Sequence, residues 1–168
     1  MKTEDVDLNF LGHAGFVVRY KNKVFVIDPY HVSEAVPKAD IILITHSHSD
    51  HCSIKDIQKL SRKGTMVLCP VDCQSTLMKV KGVDVNIVEK DEVLDFGNFK
   101  IECLPAYTSN PRHSQNEGWL GYLLKFDKTI IYFAGDTDNI PEIKRLSGYG
   151  KKGNHFVAVL PVAGDVVM

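Results

Sequence analysis

The segment THSHSDH, at positions 45–51, constrains this chain more than any other part of its sequence. It brings three histidines and one aspartate together within six residues, directly after the apolar run Ile41–Ile44. These four side chains are His46, His48, Asp50 and His51. A continuous apolar run of this kind is typical of a strand buried on both faces, so the segment begins where such a strand ends.

The spacing of the four side chains suits metal binding. In extended backbone, His46 and His48 project to the same side, so both imidazoles can reach one cation at about 2.0–2.1 Å. Asp50 and His51 follow as the chain turns into the next helix, where they can reach a second cation. Neutral imidazole and carboxylate ligands suit Zn²⁺, and also Mn²⁺ or Fe. The alternative is a solvated polar loop with incidental histidines, but the density of ligand side chains favours a centre with one or two metal ions.

Length and composition describe an ordinary globular protein. The chain has 168 residues, which favours a single domain over residues 1–168. A formal net charge of −1 argues against a broad basic surface for nucleic acid or an anionic membrane. The longest apolar runs are too short to span a membrane, and the N-terminus lacks the apolar stretch of a signal peptide. We therefore expect a cytoplasmic protein.

Short apolar segments separated by turn residues predict more strands than helices. The predicted strands cover residues 6–11, 14–20, 24–27, 41–45, 66–68, 83–88, 93–96, 99–104, 120–126, 129–133 and, as a last buried strand, 156–162. Helices are predicted over about 54–64 with Ser53 as N-cap, over 70–81, and briefly from 141. Trp119 heads one strand and is interpreted as a core residue. The mixture of βα units and hairpins points to an α/β sandwich.

Two motifs resemble those of the metallo-β-lactamase superfamily. H-x-H-x-D-H is the signature of that family, and AGDT at 134–137 is similar to a second family motif. Weaker matches look like the branch that includes L-ascorbate-6-phosphate lactonase and the N-acylphosphatidylethanolamine phospholipase D enzymes. They are LGHAGF at 11–16, DP at 28–29, PAY at 105–107, GY at 121–122 and LPVAG at 160–164. The resemblance implies an α/β fold, an αββα sandwich with a one- or two-metal site at one edge.

Further site residues follow from the strand pattern and the resemblance together. Asp28, His46 and Asp136 each come at the C-terminal end of an apolar strand, the edge where α/β sheets gather their sites. The resemblance implies that Asp136 bridges two metals, the alternative being a turn aspartate. Asp28 is interpreted as a hydrogen-bond acceptor for a ligand histidine, or else as a turn residue. His13 either contacts a ligand side chain or the substrate, or only serves its hairpin turn.

The chain departs from the family pattern at two places. Many members carry a ligand histidine where this chain has Thr108. His113, later in the same polar loop, is the candidate replacement. The alternatives are that His113 contacts the substrate or is a plain loop residue. Tyr107, Arg112 and, as the alternative to its core role, Trp119 are candidate contacts for an anionic, partly apolar ligand. Members also continue into a helix, a strand and a final ligand histidine, whereas this sequence stops at Met168, as expected of a domain truncated at its C-terminus or lacking its last ligand.

These residues predict metal-assisted hydrolysis, which implies a small-molecule substrate. The predicted metal ligands are His46, His48, Asp50, His51, His113 and Asp136. Asp50 is also the candidate catalytic residue, able to orient water or pass a proton to the leaving group. The branch that this sequence resembles favours an ester-type bond as the target of hydrolysis, in a lactone or a phosphodiester. The alternative is a degenerate or redox metal-binding protein of the same fold without hydrolase activity.

Overall fold

The computed structural model describes residues 1–150 and 153–162, and its strands form two sheets. The first sheet has six strands in sequence order, with β1–β3 antiparallel and β3–β6 parallel. Its strands are β1 (Val6–Gly12), β2 (Gly15–Tyr20), β3 (Lys23–Ile27), β4 (Ile41–Leu43), β5 (Thr65–Cys69) and β6 (Val83–Ile87). Because β3 and β4 run parallel, the residues that follow them emerge at the same edge.

The second sheet has five strands in the order β11-β10-β9-β8-β7. All its pairs are antiparallel except β10 with β11. Its strands are β7 (Val93–Asp95), β8 (Lys100–Pro105), β9 (Leu120–Lys125), β10 (Thr129–Phe133) and β11 (His155–Val159). The prediction of a last buried strand over 156–162 is wrong in its bounds and its burial: β11 ends at Val159 and is only partly buried, since its one neighbour among the described strands is β10.

The first helix forms as predicted and the second does not. Helix α1 (Ile54–Leu60) begins at Ser53, whose side chain accepts a hydrogen bond from the backbone N–H of Asp56. The predicted helix over 70–81 is instead a 3₁₀ turn followed by the four-residue α2 (Gln74–Leu77). The backbone N–H groups of residues 79 and 80 bond three residues back rather than four, which tightens the chain into the turn that leads to β6.

Helical segments cover both outer faces of the paired sheets. Along β4, Leu43 faces the cluster between the sheets, while Ile42 faces outwards to α1 and α2. On the other side, Leu146 of the 3₁₀ helix Pro141–Leu146 packs against the outer face of the second sheet. This arrangement confirms the predicted αββα sandwich. Within the described part of the chain, no helix has the length and apolar character needed to cross a membrane.

Tyr122 on β9 fixes the second sheet to the edge of the first. Its hydroxyl donates to the carbonyl oxygen of Ile44 at 2.8 Å, one residue before the segment that carries the histidines. Ile44 still pairs with β5 through its N–H to Leu68, but the N–H of Thr45 turns away to a side chain, so β4 ends before the predicted Thr45. The contact places residues from both sheets around one edge.

Two buried tyrosines provide a paired test of this contact. The hydroxyl of Tyr132 is buried and has no hydrogen-bond partner among the described residues, unlike that of Tyr122. We expect Tyr122→Phe to lower the free energy of unfolding by about 1 kcal/mol, because it removes a satisfied buried hydrogen bond. Tyr132→Phe should be neutral or stabilising. Denaturant unfolding of both variants checks this, and equal effects would contradict the assigned role of Tyr122.

Candidate metal centre

Asp28 organises the segment that carries the histidines. It directly follows β3, is 1% exposed, and accepts hydrogen bonds from Thr45 N at 2.8 Å and Thr45 Oγ1 at 2.7 Å. It also pairs with Nδ1 of His51 at 2.9 Å. A buried carboxylate is costly unless it is paired, and these three contacts satisfy it. The backbone of Asp28 has a φ of 41°, in the left-handed region, which turns its side chain towards β4.

The same network sets which nitrogen of each histidine is available. Since Thr45 Oγ1 donates to Asp28, its oxygen accepts from His46 Nδ1, 3.0 Å away, and leaves His46 Nε2 unprotonated. In the same way, His51 donates Nδ1–H to Asp28 and directs Nε2 away from it. Outer hydrogen bonds of this kind are how proteins orient histidine ligands of metals. Asp28 is therefore linked directly to His51 and through Thr45 to His46.

Three imidazole nitrogens surround one oxygen of Asp136. The distances to its Oδ2 are 3.8 Å from His46 Nε2, 3.7 Å from His51 Nε2 and 3.8 Å from His113 Nδ1. These separations are too long for hydrogen bonds and are close to the roughly 3.4 Å between donors that bind one tetrahedral ion. The ligand atoms of His46, His51 and Asp136 also lie within 4.8 Å of one another. His46 Nε2 and His113 Nδ1 are buried and have no hydrogen-bond partner among the described residues. The donor set fits a metal ion.

The loop after β10 brings Asp136 to the histidines through Gly135. That residue has a φ of +64°, and a Cβ there would lie 3.0 Å from the carbonyl oxygen of Leu120 and 3.1 Å from Cβ of Thr45. Only glycine combines this backbone conformation with so close an approach. The AGD sequence therefore lets the second sheet place a carboxylate against the segment that follows β4.

The polar loop between β8 and β9 delivers His113. A 3₁₀ turn, Pro111–His113, is capped by Asn110, whose side chain accepts from the N–H of Arg112. Arg112 itself is exposed. Tyr107 is directed elsewhere, because its hydroxyl donates to Glu142 at 2.9 Å. The structure thus brings His113 to the other histidines and holds the Tyr107 hydroxyl away from them.

Trp119 packs against three of the histidines. It is 5% exposed, and its ring centroid lies 4.5 Å from that of His46, 4.8 Å from that of His48 and 4.9 Å from that of His113. Its Nε1–H donates to Asp72 at 2.7 Å. The interpretation of Trp119 as a core residue is confirmed by its burial, but its packing against the histidines was not predicted, and neither were the roles of Thr45 and Asp72. The available signal was that Trp119 ends the loop that carries His113.

His48 and His13 lie at the solvent side of the centre. His48 is exposed, with its ring centroid 4.7 Å from that of His46, as expected of histidines two residues apart. His13, in the turn between β1 and β2, places Nε2 at 2.8 Å from Oδ2 of Asp50. Burial would raise the pKa of Asp50, but the hydrogen bond from His13 and the nearby His51 lower it. Of the predicted histidine ligands, His46, His51 and His113 therefore lie within 4 Å of Asp136 Oδ2, while His48 lies beside His46 and His113.

Burial and charge give the buried histidines different proton affinities. Burial, followed by the neighbouring His51, His48 and His113, holds the pKa of His46 far below its ordinary value. Burial also lowers the pKa of His113. For His51, burial acts in the same direction, but the charge and hydrogen bond of Asp28, with Asp136 and Asp50, raise its pKa to about 9. His46 and His113 are thus neutral and ready to bind a cation, whereas a cation must displace the Nε2 proton of His51.

Comparisons with known proteins agree with this fold. A family model described as "Beta-lactamase superfamily domain" matches residues 9–152. A UPF0173 metal-dependent hydrolase of Thermococcus kodakarensis is 31% identical over 177 residues, covering 97% of this chain and 75% of that protein. One of Pyrococcus abyssi is 31% identical over 174 residues, with the same coverage. The chain therefore belongs to the metallo-β-lactamase superfamily and, within it, to the UPF0173 metal-dependent hydrolase family.

Solved structures share the same fold. A structure from Parabacteroides distasonis ATCC 8503 has a TM-score of 0.75 and 31% identity, over 83% of this chain and 64% of that one. Igni18, a metallo hydrolase from Ignicoccus hospitalis, shares the fold, with a TM-score of 0.71 and 23% identity over 95% of this chain and 71% of that one. The names of the UPF0173 relatives confirm the predicted enzyme class at the level of the family. The narrower resemblance to the lactonase and phospholipase D branch stays a prediction.

The single tryptophan of the chain provides a direct reporter of metal binding. Because Trp119 packs against three of the candidate ligands, we expect Co²⁺ to quench its emission and the quenching to saturate at about one ion per chain. Zn²⁺ added in excess should reverse it. Emission titrations of the metal-free protein test this, with free N-acetyltryptophanamide as control. Unchanged emission from protein that demonstrably holds Co²⁺ would contradict the placement of Trp119.

Asp28 should be required for tight metal binding although it faces away from the ion. In Asp28→Asn, an amide N–H₂ group confronts the Nδ1–H of His51 or the hydroxyl of Thr45, so the histidine tautomers are no longer fixed. We expect Zn²⁺ affinity to fall about 10–100-fold, measured by competition with a chromophoric chelator. Asp40→Asn is the matched control, because Asp40 is a partly buried carboxylate at the opposite end of β4. Equal losses in both variants would argue against the assigned role.

Proposed function

We propose that this chain is a hydrolase that uses a mono- or binuclear metal centre to activate water against an ester-type bond. The observation that carries the proposal is the convergence of three imidazole nitrogens on Asp136 Oδ2, two of them buried and without a hydrogen-bond partner among the described residues. His46, His48 and His113 would hold one ion, Asp50 and His51 another, and Asp136 would lie between them. Zn²⁺ suits this nitrogen-rich set best, with Mn²⁺ and Fe as the other candidates.

When bound, the cation supplies Lewis-acid polarisation of the scissile bond and makes water nucleophilic near neutral pH. The chain's own residues do the rest. Asp28 and Thr45 hold His46 and His51 in the required tautomers. Asp50, whose side chain is 29% exposed, faces the solvent side and is placed to orient water and pass a proton to the leaving group.

A cavity of about 400 Å³ opens beside the centre and indicates the substrate class. One wall contains His13, Asp50, His51 and Asp136. The rest of the lining is mostly apolar and includes Phe10, Phe16, Phe133, Val159 and Leu160. The described lining contains no lysine or arginine, which favours an uncharged substrate over a phosphodiester. We therefore propose a lactone with an apolar substituent as the preferred substrate.

Metal content per chain, measured by plasma mass spectrometry on protein purified without chelator, is the first test. One or two equivalents of zinc or manganese are expected, together with turnover that a chelator removes and added metal restores. Lactones with alkyl chains of increasing length should be hydrolysed faster than bis-p-nitrophenyl phosphate.

Substitutions then test the residues. His48→Ala and Asp136→Asn should lose metal-dependent turnover by more than the ~10–100-fold typical of an outer partner of a ligand. His155→Ala is the control, because His155 is exposed at the start of β11, where it pairs with Thr129. A folded protein that takes up no metal would exclude the proposal, and an iron-containing, coloured preparation without hydrolase activity would favour the redox alternative.

A further inference from the structure

We infer that His13 is a metal ligand and forms, with Asp50 and His51, the protein part of a second cation site. The inference rests on the proposed function, because it requires that metal ions bind at this edge of the sandwich. It assigns to the hairpin between β1 and β2 a role beyond the hydrogen bond or substrate contact expected from the sequence. The chemical class of the ligand is a divalent cation that accepts nitrogen and oxygen donors.

The donor atoms of the three residues lie close enough to share one ion. His13 Nε2 is 2.8 Å and His51 Nε2 is 3.7 Å from the same oxygen, Oδ2 of Asp50. All three donor atoms lie within 4.8 Å of one another. Two imidazoles and one carboxylate are the protein ligands of a catalytic zinc site, which leaves a fourth position for water or substrate. The partial exposure of His13 and Asp50, at 37% and 29%, makes that position accessible.

Two ions are needed to use all the donors near His51. Nε2 of His51 lies within reach of both Asp50 and Asp136, but one nitrogen binds one ion. If His51 serves the ion beside Asp50, the buried nitrogens of His46 and His113 remain for a second ion beside Asp136. The two sets then have different surroundings, one buried and rich in nitrogen, the other open and containing the Asp50 carboxylate.

The hairpin backbone holds His13 in an unusual conformation at this position. His13 has a φ of 51°, in the left-handed region, and follows Gly12 with a φ of 110°. A Cβ on Gly15 would lie 3.2 Å from the carbonyl oxygen of Asp28, so the turn is packed against the start of the metal-binding edge. The ring of His13 also lies against Tyr30, with centroids 5.3 Å apart. Unfavourable backbone of this kind is found where a side chain must be positioned for function.

The test compares Zn²⁺ binding by the full chain with that of three variants. His13→Asn keeps a residue that tolerates the left-handed backbone but has no imidazole. His13→Gln can still donate a hydrogen bond to Asp50. His31→Asn is the matched control, because His31 is exposed and has a φ of 52°. The readouts are equivalents bound, the dissociation constant of each equivalent by chelator competition, and the visible spectrum of the Co²⁺ form. His13→Gly replaces His13→Asn if that variant does not fold.

The full chain and His31→Asn should bind two equivalents. His13→Asn should weaken the second equivalent by more than ~100-fold, beyond the loss typical of an outer hydrogen-bond partner, and His13→Gln should not restore it. A smaller loss, or rescue by His13→Gln, would show that His13 only positions Asp50 and would overturn the inference. A full chain that binds one equivalent also overturns it but leaves a mononuclear hydrolase, whereas a full chain that binds none removes the proposed function as well.

Discussion

The buried carboxylate of Asp28 determines the geometry of the whole metal-binding edge. It is 1% exposed, so it must be fully paired within the protein. Its partners are the N–H and hydroxyl of Thr45 and the Nδ1 of His51, all in the segment that follows β4. These contacts exist because β3 and β4 are parallel neighbours with Ile27 opposite Leu43, so that residue 28 and residue 45 emerge side by side. The parallel pair thus connects the strand pattern to the orientation of two histidines.

The first sheet alone does not complete the centre. Asp136, His113 and Trp119 all come from the second sheet and its loops, and the Tyr122 hydroxyl bonds the carbonyl just before Thr45. Gly135 shows how closely the two sheets approach there, since the space for its side chain is taken by Thr45 and the Leu120 carbonyl. A loss of sheet-to-sheet packing would therefore separate the two halves of the centre, even if each sheet kept its own hydrogen bonds.

The parts predicted from sequence are those determined by local spacing. The H-x-H-x-D-H segment, Asp28 and Asp136 could be placed at one edge because strand direction and alternation are local properties. Trp119 was interpreted as core because an aromatic residue at a strand start has the same local pattern whether it packs on leucine or on histidine. The shortened α2 and the partly buried β11 depend on tertiary neighbours, which the apolar pattern of a single segment does not contain.

The two donor sets explain why the cavity lies where it does. Its described lining includes His13, Asp50, His51 and Asp136 but not His46, His48 or His113. Trp119 packs against the rings of those three histidines, of which His48 is exposed, whereas Nε2 of His46 and Nδ1 of His113 are buried. A substrate entering the cavity therefore reaches His13, His51 and the partly exposed carboxylate of Asp50 before it reaches His46 and His113. The buried nitrogens of His46 and His113 are then suited to retaining a cation, and Asp50 and His13 to the step that exchanges water, substrate and proton.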